Sequence, residues 1–191
     1  MDIKYIDEQT FTNINYAEKS LDIAEYEYCT FINCNFSNTI LSEIRFLECE
    51  FFDCNFSNAN LVNVSFQDVK FKNCKMLGLQ FDSCSQFGFA ASFDACQLDH
   101  SIFFKMKLNR SSFSNSQLKG VDFTETDLKK SKFIGCNLLE ATFQNTNLEM
   151  TDLRNATNYS IDPEQNRIKG ARFSMPEVVG LLDKYQIKIE K

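Results

Sequence analysis

The sequence predicts an all-β solenoid, a chain wound into stacked, four-cornered coils and closed at its C-terminal end by a short α-helix. Three observations carry this. Apolar residues (Phe, Tyr, Leu or Met) stand at every fifth position from Phe11 to Phe81 without exception. That interval fits neither the 3.6-residue period of a helix nor the two-residue alternation of an ordinary strand. The decapeptide CTFINCNFSN at 29–38 returns as CEFFDCNFSN at 49–58, twenty residues later. Five nested in twenty means four corners per coil, and repetition at such a period marks a stacked architecture. From Phe31 onward the residue two before each centre is also small or apolar, as at Cys29, Cys34, Cys49, Cys54, Val64 and Cys74. Each repeat therefore sends two side chains inward.

Taken in order, residues 1–10 show no clear beat and are expected to form a leader or a worn first repeat. Residues 11–155 are the solenoid. Residues twenty apart should lie directly above one another at the strand spacing of about 4.8 Å. Between Phe81 and Phe93 the beat slips by two residues. The segment 82–92 must therefore bulge or loop, with Gly88 between Phe87 and Phe89 as its expected tip. The beat then resumes with Phe and Leu alternating from Phe93 to Leu148 and Leu153 closing the run. In a four-cornered coil this alternation puts Phe on two opposite walls and Leu on the other two.

Residues 156–191 read as a connector, a capping helix and a terminal strand. Ser174, Pro176 and Glu177 carry the signature of a helix start, with Ser174 as N-cap and Glu177 closing a capping box. Val178, Leu181, Leu182 and Tyr185 would share one face of that helix, and Ile187 and Ile189 alternate with charges as in a short strand. A solenoid has to cover its open end. The surplus apolar surface of this cap is also a candidate for pairing two copies.

Composition bounds the function. The 191 residues hold twenty Phe, no Trp, six Gly and two Pro, so the corners turn without the usual Gly and Pro. The net charge of −6 argues against direct binding to nucleic acid or an anionic membrane. It suits a basic protein surface as partner. No signal segment and no membrane span is read, so a cytoplasmic location is expected. The charge is unevenly spread: residues 1–50 hold ten acidic and three basic residues, residues 101–150 five acidic and seven basic.

No catalytic, cofactor or metal constellation stands out. Seven of the eight Cys fall two before a repeat centre, with Cys84 where that register breaks down, and no Cys-X-X-Cys pair occurs, which marks them as small core residues rather than zinc ligands. His100 has no nucleophile or acid in register. Asp122, Asp127 and Asp152 sit in the repeat's own Asp position, where a carboxylate binds nearby backbone amides. The surface feature with most functional promise is acidic. Glu25, Glu27, Glu48 and Asp68 flank centres 26, 46 and 66, so stacking puts them on one wall in successive coils. The bland reading of the same residues is a solubilising face.

The beat of Ala, Cys, Ser or Thr two before Leu or Phe, with Asn or Asp between, resembles the pentapeptide repeat family. Ala59-Asn60-Leu61, Thr126-Asp127-Leu128 and Thr151-Asp152-Leu153 show it well. The resemblance covers roughly residues 11–155 and implies a right-handed quadrilateral β-helix. The stretch from Gly170 to Tyr185 (GARFSMPEVVGLLDKY) looks like the capping tail of the quinolone-resistance, Qnr-type subgroup, which includes immunity proteins against topoisomerase toxins. That likeness implies a homodimer joined through the C-terminal region, no enzymatic activity, and a rod that mimics DNA to bind a type II topoisomerase (DNA gyrase or topoisomerase IV). Protection against quinolones or a peptide toxin would follow. The alternative is a pentapeptide-repeat scaffold or adaptor with an unrelated protein partner.

Overall fold

The computed structural model describes residues 4–190, and in it the chain is a right-handed quadrilateral β-helix. Side chains at the five-residue beat point into the shaft, and twelve of the largest, from Tyr26 and Phe31 to Phe113, are fully buried. Short strands form on two of the four walls. The first wall carries β1 (Lys4–Asp7), β3 (Ala24–Glu27), β5 (Arg45–Leu47) and β7 (Ser65–Gln67), paired in parallel in that order. The second carries β2 (Thr10–Thr12), β4 (Thr30–Ile32), β6 (Glu50–Phe52), β8 (Val69–Lys72), β9 (Ala91–Asp94), β10 (Ser112–Ser114) and β11 (Lys132–Ile134). Single parallel bridges such as Asn35↔Asn55 and Asp122↔Thr142 join the coils on the third and fourth walls.

The twenty-residue period becomes a column of like side chains. Phe31, Phe51 and Phe71 are directly paired between strands, with ring centroids 4.7 and 5.1 Å apart. That separation is the spacing of the strands themselves. Neighbouring columns meet edge to face, as Phe51 meets Phe56 at 5.1 Å and 77°. Both arrangements suit the aromatic quadrupole. In the C-terminal half, Phe93, Phe113 and Phe133 stack on the second wall and Phe103, Phe123 and Phe143 on the fourth, as the Phe/Leu alternation requires.

The second inward position holds either an aliphatic residue, such as Ile44, Val64 or Val69, or a Cys, Ser or Thr able to donate a hydrogen bond. Cys54 Sγ reaches the Phe31 carbonyl at 3.5 Å, Thr126 Oγ1 the Phe103 carbonyl at 2.7 Å, and Ser131 Oγ the Leu108 carbonyl at 2.7 Å. Each spans twenty-three residues, from one coil to the one before. Buried hydroxyls are thereby satisfied, which is the condition for their burial.

The corners solve the shortage of Gly and Pro. The residue two after most centres adopts positive φ, as in Asn33 (51°), Asn38 (55°), Asn58 (57°), Glu48 (49°) and Asn115 (50°). Asn tolerates this left-handed region better than most residues, and it recurs at that place in the repeat.

Three expectations change. The first ten residues are not a separate leader: Ile6 continues the beat backwards, and β1 pairs with β3 through Lys4↔Ala24 to Asp7↔Glu27. Residues 1–3 lie outside the described residues. The capping α-helix is replaced by two short 3-10 turns, Glu177–Leu181 and Asp183–Tyr185. Its intended caps are drawn to the shaft instead, since Ser174 Oγ accepts from Asn155 N and Glu177 accepts from Asn158 N. Ile187 and Ile189 form no strand and are more than half exposed.

The two extra residues of the slip fall in the turn Gln86–Phe89, because Ser85 N still bonds Val64 O in the regular manner while Val69 already pairs with Ala91. Gly88 has φ +67°, as its placement at the tip requires. The left-handed corners give a direct test. Asn38 makes no side-chain hydrogen bond among those found, so Asn38→Gly should move unfolding stability by no more than about 0.5 kcal/mol. Asn38→Val should destabilise the fold by about 1–2 kcal/mol; equal denaturation midpoints for the two variants would contradict the assigned conformation.

Candidate functional site

The four acidic residues singled out in the sequence do share the first wall, but not one column. Glu25 and Glu27 lie on β3, before and after its centre Tyr26. Glu48 and Asp68 occupy the corner after β5 and β7, stacked twenty residues apart with positive φ. Tyr28 and Glu8 extend that corner column toward the N-terminal end.

Partners sort these carboxylates further. Arg45 stands opposite Glu25 in the ladder, and its guanidinium lies 2.7 Å from the carboxylate. This half-exposed pair is worth at most about 1 kcal/mol, but it removes one charge from the acidic array. Tyr5 Oη donates to Glu27, and Tyr28 Oη donates to Glu48 at 3.0 Å. Each bond to a carboxylate holds the tyrosine hydroxyl above its ordinary pKa. Asp68 has neither kind of partner among the described residues. Arg45 was legible in the sequence, since it stands twenty residues after Glu25; the tyrosines were not, because aromatic residues off the beat carry no signal of their own.

Further along the same wall the sign of the charge reverses. Lys107↔Asp127↔Asn147↔Arg167 continue its bridges, and Arg110 and Lys130 occupy the corner column that Glu48 and Asp68 occupy nearer the N-terminus. Lys129 and Arg167 both hold Glu149, at 3.0 and 2.6 Å, and keep its carboxyl below the usual range. The turn at Gln86–Phe89 separates the two halves. Phe89 folds inward, edge-on to Phe66 at 6.3 Å, and takes the place of the missing centre. Phe87 points outward and is 82% exposed. A cleft lined by Asp68, Phe89, Ala91 and Arg110 lies beside this turn.

The C-terminal tail is the second candidate surface. Gly180 is buried, and a Cβ there would lie 2.0 Å from the Tyr159 carbonyl oxygen, so the tail docks through backbone contact. Ile161 N donates to Gly180 O at 3.0 Å, and Lys184 bridges Asp162 and Glu164 at 2.8 and 2.6 Å. The ammonium holds both carboxyls below their ordinary pKa values. Val178 and Leu181 are half-buried on the shaft's end, whereas Leu182, Tyr185, Ile187 and Ile189 are exposed. Met175 and Val179 add to this apolar surface.

The remaining candidates are structural. All eight Cys are buried free thiols. Burial pushes Cys49 up to about 12 and Cys136 up to about 11, so both are neutral at physiological pH. Asp122, Asp127 and Asp152 accept from the backbone amides of Thr124, Lys129 and Arg154. His100 is an exposed corner residue. No cluster of three or more metal-ligating side chains occurs among the described residues, and no helix there is long and apolar enough to cross a membrane.

Comparison with known proteins agrees with this geometry. The sequence matches the family model described as a pentapeptide repeat region over residues 24–87 and 80–153. A trypsin-treated form of QnrB1, a plasmid-mediated fluoroquinolone resistance protein, is 18% identical with a TM-score of 0.64, over 98% of this chain and 100% of that one. HetL, involved in heterocyst differentiation regulation in the cyanobacterium Nostoc sp. strain PCC 7120, is 16% identical with the same TM-score of 0.64, over 89% of this chain and 86% of its own. At these identities the likeness speaks to the fold. No curated protein matches the sequence.

Buried thiols should resist iodoacetamide at about pH 8 and react, all eight of them, only in denaturant; mass spectrometry counts the labels, and native labelling would contradict their burial. Gly180→Ala should release the tail without unfolding the shaft, seen as faster proteolysis near Lys184 with unchanged circular dichroism. The depressed carboxyls give docking a pH dependence. Stabilisation is present above the unfolded pKa of about 4 and is lost as pH falls through the lower folded values, so tail proteolysis should accelerate only in acid.

Proposed function

The chain belongs to the pentapeptide repeat family, and from that premise we propose that it is a non-enzymatic protein of the cytoplasm that binds a type II topoisomerase, either DNA gyrase or topoisomerase IV. In this reading it protects that enzyme against quinolones or a peptide toxin. The observation that carries it is the acidic half of the first wall. Glu8, Glu27, Glu48 and Asp68 stand there at intervals fixed by the coil spacing, on a flat and rigid face. A basic groove that holds the DNA backbone is the kind of surface such a face complements. The resemblance of the Gly170–Tyr185 tail to the Qnr-type cap, together with the fold shared with QnrB1, supports a type II topoisomerase as the partner.

The exposed Leu182, Tyr185, Ile187 and Ile189 support a homodimer joined at the C-terminal ends, because this patch lies at the end of the shaft uncovered by any other described residue. A second reading, that of a scaffold or adaptor with another protein partner, is favoured by the equal structural likeness to HetL. There the acidic face serves solvation alone.

A supercoiling assay separates the two. The topoisomerase reading expects inhibition or rescue from ciprofloxacin at micromolar protein, and a charge reversal of Glu27, Glu48 and Asp68 should reduce the effect at least tenfold. No effect of the wild-type chain on gyrase or topoisomerase IV would leave the adaptor reading. Leu181→Asp should halve the mass seen by light scattering; an unchanged mass would make the tail a lid only.

A further inference from the structure

We propose that the first wall is a docking face for a second copy of this chain, with the two shafts antiparallel and the Gln86–Phe89 turn on the twofold axis. The turn occupies the middle of the wall. Four coils centred on Ile6, Tyr26, Phe46 and Phe66 lie on one side of it, and four centred on Leu108, Leu128, Leu148 and Ile168 on the other. A twofold axis running across the wall at this level keeps each vertical column in place and reverses the order of the coils. The Phe66 coil then faces the Leu108 coil of the second copy, and so on outward to the ends.

The columns fit one another under this operation. In the corner column Asp68 meets Arg110 and Glu48 meets Lys130. In the column before each centre Arg45 meets Asp127, and Tyr5 meets Arg167. In the column after each centre Asp7 meets Lys169. Like charges meet only at Glu27 and Glu149, and Glu149 is already held by Lys129 and Arg167. Symmetry makes every match occur twice. A parallel arrangement would instead set acidic half against acidic half, which costs association. Phe87, 82% exposed at the axis, meets its own copy.

None of the described residues covers this wall. The tail's polar contacts go to residues 155–164, and Arg167, Lys169 and Gly170 remain exposed. Nine coil levels make a face about 40 Å long, and three outward residues make it about 10 Å wide. The pair therefore covers about 800 Å² in total, below the usual size of a stable interface. Association of this kind is weak, driven by charge and sensitive to salt. It uses the same acidic residues as the proposed topoisomerase contact, so the second copy and a basic groove would compete for them. The proposal stands on its own if that contact does not exist.

Sedimentation of the full chain at about 100 μM, without any other protein, tests it. The mass in about 0.02 M salt should be twice that in about 0.5 M salt. The double variants Glu48→Lys with Asp68→Lys, and Arg110→Glu with Lys130→Glu, should each lose this salt-dependent doubling, and mixing them should restore it. A mixture that stays at the high-salt mass, or a wild-type mass that does not change with salt, overturns the proposal. Phe87→Cys gives an independent readout, because the eight native thiols are buried. It should form a disulfide-linked dimer in low salt several times faster than Gln97→Cys, on the opposite wall; equal rates would count against the twofold axis.

Discussion

The vertical distance between coils governs this molecule. Parallel strands pair at about 4.8 Å, and the buried rings of the second-wall column repeat at 4.7 to 5.4 Å from Phe11 to Phe133. Backbone pairing and aromatic stacking thus demand the same repeat, and neither has to stretch for the other. This coincidence makes a narrow shaft stable with a core only four side chains around. It also explains why the insertion at Gln86–Phe89 is tolerated. The extra residues leave the Phe71–Phe93 and Phe81–Phe103 stacks intact at 5.4 and 4.5 Å, and Phe89 refills the vacated place on the first wall.

The corners are the second constraint. Each coil must turn through four of them, and most of these turns place a residue at positive φ. Five of the six glycines are spent on such sites, and Asn supplies many of the others. The thiols and hydroxyls beside the buried rings complete the arrangement by binding carbonyls of the preceding coil. A position that looks like filler in the sequence thereby becomes a vertical tie. Six of the eight cysteines make this tie, from Cys29 to Ile6 through Cys96 to Phe71.

With the interior fixed by stacking, the outward residues are free to carry function, and the fold arranges them in columns. A charge column is a consequence of period rather than of local chemistry. The first wall uses this by placing acid above and base below a single turn, so that one surface presents two signs. The tail adds an apolar end.

The sequence by itself determined the solenoid, its four walls, the alternation of Phe and Leu, the place of the two-residue insertion at Gly88 and the role of the cysteines. All of these follow from which side chains point inward, and a strict period of five states that directly. Only the tertiary structure decided the ends and the outer faces. The beat at Ile6 is a single apolar residue until β3 lies beside it, so the first coil was hidden. Ser174 and Glu177 have the right spacing to cap a helix, but Asn155 and Asn158 compete for them across nineteen residues, and the tail is left as 3-10 turns. Glu27 and Glu48 looked like free acids until Tyr5 and Tyr28 were placed against them. Outward side chains choose partners across coils and at chain ends, where a five-residue period carries no information.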